Sequence, residues 1–179
     1  MAKIVHKFNL KGKDVFLRYP RKEDAKDLLS LVNSLIREKA YVSMQKKFTL
    51  KEEKKWLLRQ IKETKELKRI YFVVEVKNKV IGSVGVEKKT IPQDHVGDFG
   101  IIFKKNLRNL GIGQKIIPLV LSEAKDKLKI KIVTLGVYNK NKKALHVYTK
   151  CGFEKIGKIK KGVNHYGRYL DDILMVKYL

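Results

Sequence analysis

The most chemically suggestive run in this 179-residue chain is Arg108-Asn109-Leu110-Gly111-Ile112-Gly113. It lies between a segment that reads as a strand, His95 to Phe103, and an apolar helical segment reaching about Leu128. Glycine has no Cβ, so the backbone in such a turn can approach a ligand closely. The helix that follows presents unpaired N–H groups and the positive end of its dipole. An anion is favoured there, and phosphate is the obvious candidate. Two phosphate motifs are excluded. The dinucleotide fingerprint needs a third glycine where Ile116 stands, and the P-loop needs Gly-Lys-Ser/Thr where the chain reads Gln114-Lys115-Ile116. From these residues alone, a strand-to-helix turn without a ligand is the alternative. The one cysteine, Cys151, allows no internal disulfide and no thiolate-rich metal site.

The elements that must position this turn follow from periodicity. Val15 to Tyr19 reads as a strand stopped by Pro20. From Lys22, Ala25, Leu28, Leu31, Val32 and Leu35 fall at helical spacing. Residues 38–48 read as a loop, and Thr49-Leu50-Lys51-Glu52 is a capping box that opens a second helix. Ile70 to Val76 and Val80 to Val86 form a hairpin about Lys77-Asn78-Lys79. Ile130 to Tyr138 is a strand, and Asn141 is an N-cap for a helix through Lys150. Phe153 to Lys158 and Tyr169 to Tyr178 close the chain as two strands. This order implies a mixed α/β or α+β sheet with helices packed on it. There is no linker and no repeat, so a single domain over 1–179 is expected.

Two spaced patterns tie the chain to a family. Arg108-x-x-Gly111-x-Gly113 resembles the Arg/Gln-x-x-Gly-x-Gly/Ala signature of the GNAT acetyltransferase superfamily. Downstream, Leu135-x-Val137, then Asn141, Ala144, Tyr148 and Gly152-Phe153, is similar to that family's second signature with every spacing kept. The resemblance covers roughly residues 13–179. It departs at Asn109, where members often carry another glycine; asparagine tolerates left-handed geometry better than most residues. The resemblance implies a twisted, mostly antiparallel sheet of about seven strands flanked by about four helices, with a splay between the fourth and fifth strands. It implies acetyl-CoA as co-substrate and no metal. The backbone from Arg108 through Asn109, Leu110, Gly111, Ile112 and Gly113 to Gln114 would hold the pyrophosphate. The strand ending Ile101-Ile102-Phe103 would pair its free edge with the pantetheine arm. Asn141 and Ala144 would meet the cofactor at the start of their helix, although Asn141 also reads as a plain N-cap.

The implied reaction moves an acetyl group from acetyl-CoA to a primary amine by direct attack in a ternary complex. Tyr148 would be the acid, and a backbone amide in the Ile102–Phe103 region would donate to the carbonyl. The base is a carboxylate or water, with Asp98 favoured over His95 and Glu87. Residues 95 and 98 fall on opposite faces of their strand. His146 and His165 read as peripheral. The walls of the acceptor site are expected from loop 38–48, with Tyr41 and Phe48, and from a hairpin loop at 159–168.

Lys plus Arg number 42 against 18 Asp plus Glu, a formal charge of +24. Part of this suits the phosphates of CoA. Weak association with RNA or the ribosome is a second reading, and solvated lysine-rich faces are a third. A non-catalytic acyl-CoA-binding or RNA-associated module on the same scaffold stands as the alternative to an enzyme. A chain of this charge repels polycations overall, which favours a protein N-terminus, a lysine or an amino-acid-like acceptor. Polyamine binding would need carboxylates, with Asp171, Asp172 and Glu87 available. No segment is apolar and long enough to span a membrane, and no signal peptide is evident at the N-terminus. A soluble cytoplasmic protein is expected, with homodimerisation through the C-terminal strand left open.

Overall fold

Alternating apolar residues build the strands, and apolar residues spaced by three and four build the helices. The structure, a computed structural model, describes residues 3–179; the first two residues of the expected 1–179 domain lie outside the described residues. The strands are β1 (Ile4–Leu10), β2 (Lys13–Arg18), β3 (Arg69–Val76), β4 (Lys79–Lys88), β5 (Val96–Phe103), β6 (Ile132–Tyr138), β7 (Glu154–His165) and β8 (Arg168–Tyr178). The helices are α1 (Ala25–Arg37), α2 (Leu50–Lys65), α3 (Ile112–Leu128) and α4 (Lys142–Lys150). All strands form one sheet in the order β1-β2-β3-β4-β5-β6-β8-β7. Every neighbouring pair is antiparallel except β5 and β6.

The seven expected strands are present, and β1 is an eighth. Its alternation of Phe8 and Leu10 with Lys7 and Asn9 is short, and a register shift between Ile4 and His6 interrupts it. β7 runs past the expected Lys158 to His165: its ladder to β8 is interrupted by a bulge between Ile159 and Val163 and resumes at Val163–Leu170. The expected hairpin loop at 159–168 is therefore mostly strand, closed by Tyr166 and Gly167 with φ of 52° and 83°. β8 lies between β6 and β7, so the C-terminal strand offers no free edge for a dimer.

The sheet has helices on both faces. On one, Ile116, Ile117 and Val120 of α3 pack with Phe72, Val133 and Phe153. On the other, Leu28, Leu31 and Leu35 of α1 and Leu57 of α2 pack on Tyr71 and Val73. Burying each such aliphatic side chain contributes roughly 1.5–3 kcal/mol.

β5 and β6 pair only at Val96–Ile132, Gly97–Val133 and Asp98–Thr134. β4 then holds β5 as far as Phe103, while β8 holds β6 as far as Tyr138. The two strands thus part after Asp98. Three rings gather where they part: Phe99 lies 6.1 Å from Tyr148 and 6.0 Å from Phe153, centroid to centroid.

The start of α1 is anchored by a buried ion cluster. Arg18 donates from Nη1 and Nη2 to Asp24 at 2.7 and 2.8 Å, and from Nε to Glu75 at 2.7 Å. Arg18 is 3% exposed and Asp24 5%. Asp24 also accepts from the Arg21 backbone N–H, which fixes the turn into α1. Removing one partner of such a cluster leaves the other charges buried without compensation. Arg18→Met is expected to destabilise the fold by about 3–5 kcal/mol in urea unfolding. An unchanged midpoint would mean that this cluster does not anchor α1.

Candidate active site

The turn that follows β5 has the geometry an anion needs. Arg108 ends a short 3-10 turn at Lys105–Leu107. Asn109 and Gly111 are left-handed, with φ of 62° and 80°. The Cβ position of Gly111 faces open space, with no atom within 4 Å. Ile112 then begins α3, and the N–H groups of its first turn, including those of Gly113 and Gln114, have no partner earlier in the helix. Leu110 is half-buried and packs on the core. The Arg108 side chain points elsewhere: Nε donates to the Phe103 carbonyl at 2.9 Å, and Nη2 meets Glu38. It ties the turn to the ends of β5 and α1. The backbone of this segment fits a pyrophosphate, with Arg108 as its brace.

The splay leaves one edge of β5 unpaired. Lys104 donates its N–H to Ile81 on β4 at 2.9 Å. By strand alternation the Ile102 N–H faces β4 too, leaving the backbone of Ile101 and Phe103 toward the gap. Within the expected Ile102–Phe103 region it is thus the Phe103 amide, not that of Ile102, that faces the gap. The Ile102 side chain packs on the α1/α2 face.

Tyr148 lies on α4 with its ring against Phe99 and Phe153. Burial of the ring, and secondarily Cys151, pushes the phenol up to about 12. It is therefore protonated across the neutral range. Asn141 caps α4 by accepting from the Ala144 N–H at 3.3 Å, so the plain N-cap reading holds for its Oδ1. Asp98 lies on the last paired rung before the splay. It accepts from the Thr134 hydroxyl and sits 3.6 Å from Lys89 Nζ. Tyr148 and Asp98 thus flank the point of parting from opposite faces of the sheet. His95 is exposed, and its carbonyl accepts from Lys131 and Ile132.

A cavity of about 550 Å³ opens on the α1/α2 face. Its floor includes Gly85 and Gly100, which pair across β4 and β5. Gly100 has no atom within 4 Å of its Cβ position. Phe48, Trp56 and Asp98 contribute to its walls. Asp171 and Asp172 do not line it. Tyr41 leaves the expected wall and joins Tyr138 and His165 in an aromatic cluster. His165 sits in that cluster and does not line the cavity. Gln45 pins the same loop to the hairpin, donating to Asn164 O at 2.6 Å and accepting from Tyr166 N–H at 3.0 Å.

Glu53 lines this cavity from α2, and the sequence reading missed it. Its signal was the buried stripe Glu53, Leu57, Gln60, spaced by four and three. Glu53 is 6% exposed, and burial raises its carboxyl from 4.5 to about 7. A raised carboxyl costs nothing below the unfolded value, where both states are protonated, and costs most above the folded one. Glu53→Gln is therefore expected to leave stability unchanged near about pH 4 and to raise it by on the order of 1–2 kcal/mol near about pH 8. Equal gains at both pH values would contradict the buried-carboxyl account. Gly100→Val is expected to fill the cavity floor and block an acceptor without weakening a ligand on the α3 face, by calorimetry. Loss of both would show that the two sites are not separate.

Comparison with known proteins agrees with this geometry. Residues 14–154 match the acetyltransferase (GNAT) domain family. The L-amino acid N-acetyltransferase AaaT of Escherichia coli (strain K12) is 29% identical over 99 residues, which span 55% of this chain and 61% of that protein. The ribosomal-protein-S5-alanine acetyltransferase of Vibrio fischeri superposes with a TM-score of 0.83 at 23% identity, covering 97% of this chain and 96% of that one. The yncA protein of Salmonella typhimurium, solved with acetyl-CoA, superposes with a TM-score of 0.80 at 16% identity, covering 92% of this chain and 94% of that one. The family match spans most of the chain and both signatures, and the chain belongs to the GNAT acetyltransferase family.

Proposed function

We propose that this protein is an acetyl-CoA-dependent N-acetyltransferase. The observation that carries the reading is the parting of β5 and β6, with an anion-ready turn on one face and a cavity on the other. Acetyl-CoA supplies an activated acetyl group and a thiolate leaving group. The residues that would hold it are the backbone of 108–114 for the pyrophosphate and the free edge of β5 for the pantetheine amides.

The acceptor enters through the α1/α2 cavity. Its nitrogen must be neutral to attack, because an ammonium has no lone pair. Asp98, directly or through water, takes the proton the amine must lose. The Phe103 N–H donates to the carbonyl oxygen as charge grows there. A carbon–nitrogen bond forms, the carbon–sulfur bond breaks, and the products are an N-acetyl amine and CoA thiol. Tyr148 offers its O–H to the departing sulfur. A phenol near 12 is a much weaker acid than a thiol of about 8.5, so full transfer to the thiolate is uphill by roughly 5 kcal/mol. Tyr148 therefore assists through its hydrogen bond, and the net proton derives from the amine.

Release of CoA thiol on mixing with acetyl-CoA and a panel of primary amines tests this reading. Tyr148→Phe is expected to bind acetyl-CoA as the parent does and to lose about a hundredfold in kcat. An unchanged kcat would refute the role of Tyr148. No amine-dependent thiol release from the parent would refute the transferase.

A further inference from the structure

The cavity wall inverts the charge of the molecule around it. The chain carries 42 basic and 18 acidic residues, yet Glu52, Glu53, Glu87 and Asp98 line the cavity against Arg69 as its one basic side chain. Three of the four carboxylates are engaged. Glu52 closes the α2 capping box with Thr49. Glu87 pairs with Arg69 at 2.7 Å. Asp98 meets Thr134 and Lys89. Among the described residues Glu53 makes no ion pair and no side-chain hydrogen bond, although it is 6% exposed. A buried carboxyl without a partner is costly and calls for an explanation.

A second observation points to an occupant. Gln60 is 0% exposed, lines the same cavity one buried stripe along α2, and its Nε2 has no acceptor. Its Oε1 is taken by Arg69, which fixes the amide with its N–H₂ free. The inner wall therefore presents both a carboxyl and an amide donor without partners, which suits a polar ligand rather than an apolar one.

The identity of that ligand follows from which groups are free. The reacting amine must be neutral at the splay, beside Asp98, so it cannot also be the lasting partner of Glu53 on α2. An acceptor with a carboxylate would need a cation in the wall. Arg69 is already shared among Glu63, Glu87 and Gln60. We propose that the acceptor is a small amine carrying a second, cationic amino group and no carboxylate, and that Glu53 receives that second group. The proposal rests on the acetyltransferase reading for the role of the cavity. It separates this chain's acceptor from α-amino acids, and it makes Glu53 a specificity-determining residue rather than a catalytic one.

Trp56 is the only tryptophan in the chain and lines the cavity, so its fluorescence reports occupancy without any acetyl transfer. The parent and Glu53→Gln are titrated with 1,4-diaminobutane and with 4-aminobutyrate, which replaces one amine by a carboxylate. No acetyl-CoA is present. The parent is expected to show a saturable change with the diamine, at least tenfold tighter than with the amino acid. Glu53→Gln, checked for an unchanged or raised melting temperature, is expected to lose that preference. Equal affinity for both ligands, a preference that survives Glu53→Gln, or saturation only by an N-terminal peptide would overturn the proposal. Diamine binding without amine-dependent thiol release would overturn the transferase reading, and with it the acceptor role, leaving only Glu53 as the receiver of a cationic amine. Thiol release with other amines but no diamine binding would overturn the proposal and leave the transferase reading standing.

Discussion

Everything in the site depends on one constraint, that β5 and β6 pair for three rungs and then part. Each strand is held on its other side, β5 by β4 and β6 by β8, so the gap cannot close by either strand drifting. The aromatic rings of Phe99, Tyr148 and Phe153 occupy the point of divergence. An unpaired edge inside a sheet leaves backbone N–H and C=O groups without partners, which is costly unless something supplies hydrogen bonds. A ligand with amide groups running along the strand answers that cost. The turn after β5 then places an α-helix N-terminus at the far end of the same edge.

The sheet also separates the anion-ready turn from the cavity. Residues of β5 alternate, so Phe99 and Ile101 face α3 and α4 while Gly100 and Ile102 face α1 and α2. In the proposed function the co-substrate lies on the first face and the acceptor in the cavity on the other, and the parting strands open a route between them. The charge follows the same division. Basic side chains dominate the chain as a whole, which suits a phosphate-bearing ligand, while carboxylates collect in the cavity. Net charge over a whole protein is thus a poor guide to one pocket. The +24 count argued against a polycation, and the local wall argues for a dication.

Much of the backbone geometry around the turn into α3 and the start of α4 was legible in the sequence because it is local. Gly111, Asn109 and the Asn141 cap act within a few residues, and their geometry follows from residue type. The Thr49–Glu52 capping box formed as its spacing required. The acceptor side was less legible because it is assembled from distant segments. Glu53 becomes a cavity residue only when α2 packs on β3; its spacing with Leu57 and Gln60 marks a helix face but not what lies opposite it. β7 shows the same limit from another direction. Residues 159–165 read as loop, and only the ladder to β8, resumed at Val163 beyond a bulge, makes them strand. Arg108 is the instructive case between these. Its position in the motif was plain, but its partner Glu38 is remote in sequence, so its bracing role was not.

The measurement that reaches the centre of this account is a calorimetric titration of acetyl-CoA and desulfo-CoA into the nuclease-treated protein and into Gly111→Asp. The substitution adds bulk and negative charge at a left-handed position whose Cβ faces open space. The account predicts micromolar binding of both ligands by the parent and none by Gly111→Asp, which stays folded with a melting temperature lowered only by the strain of a side chain at φ 80°. Undiminished affinity in Gly111→Asp, or no binding of either ligand by the parent, would contradict it.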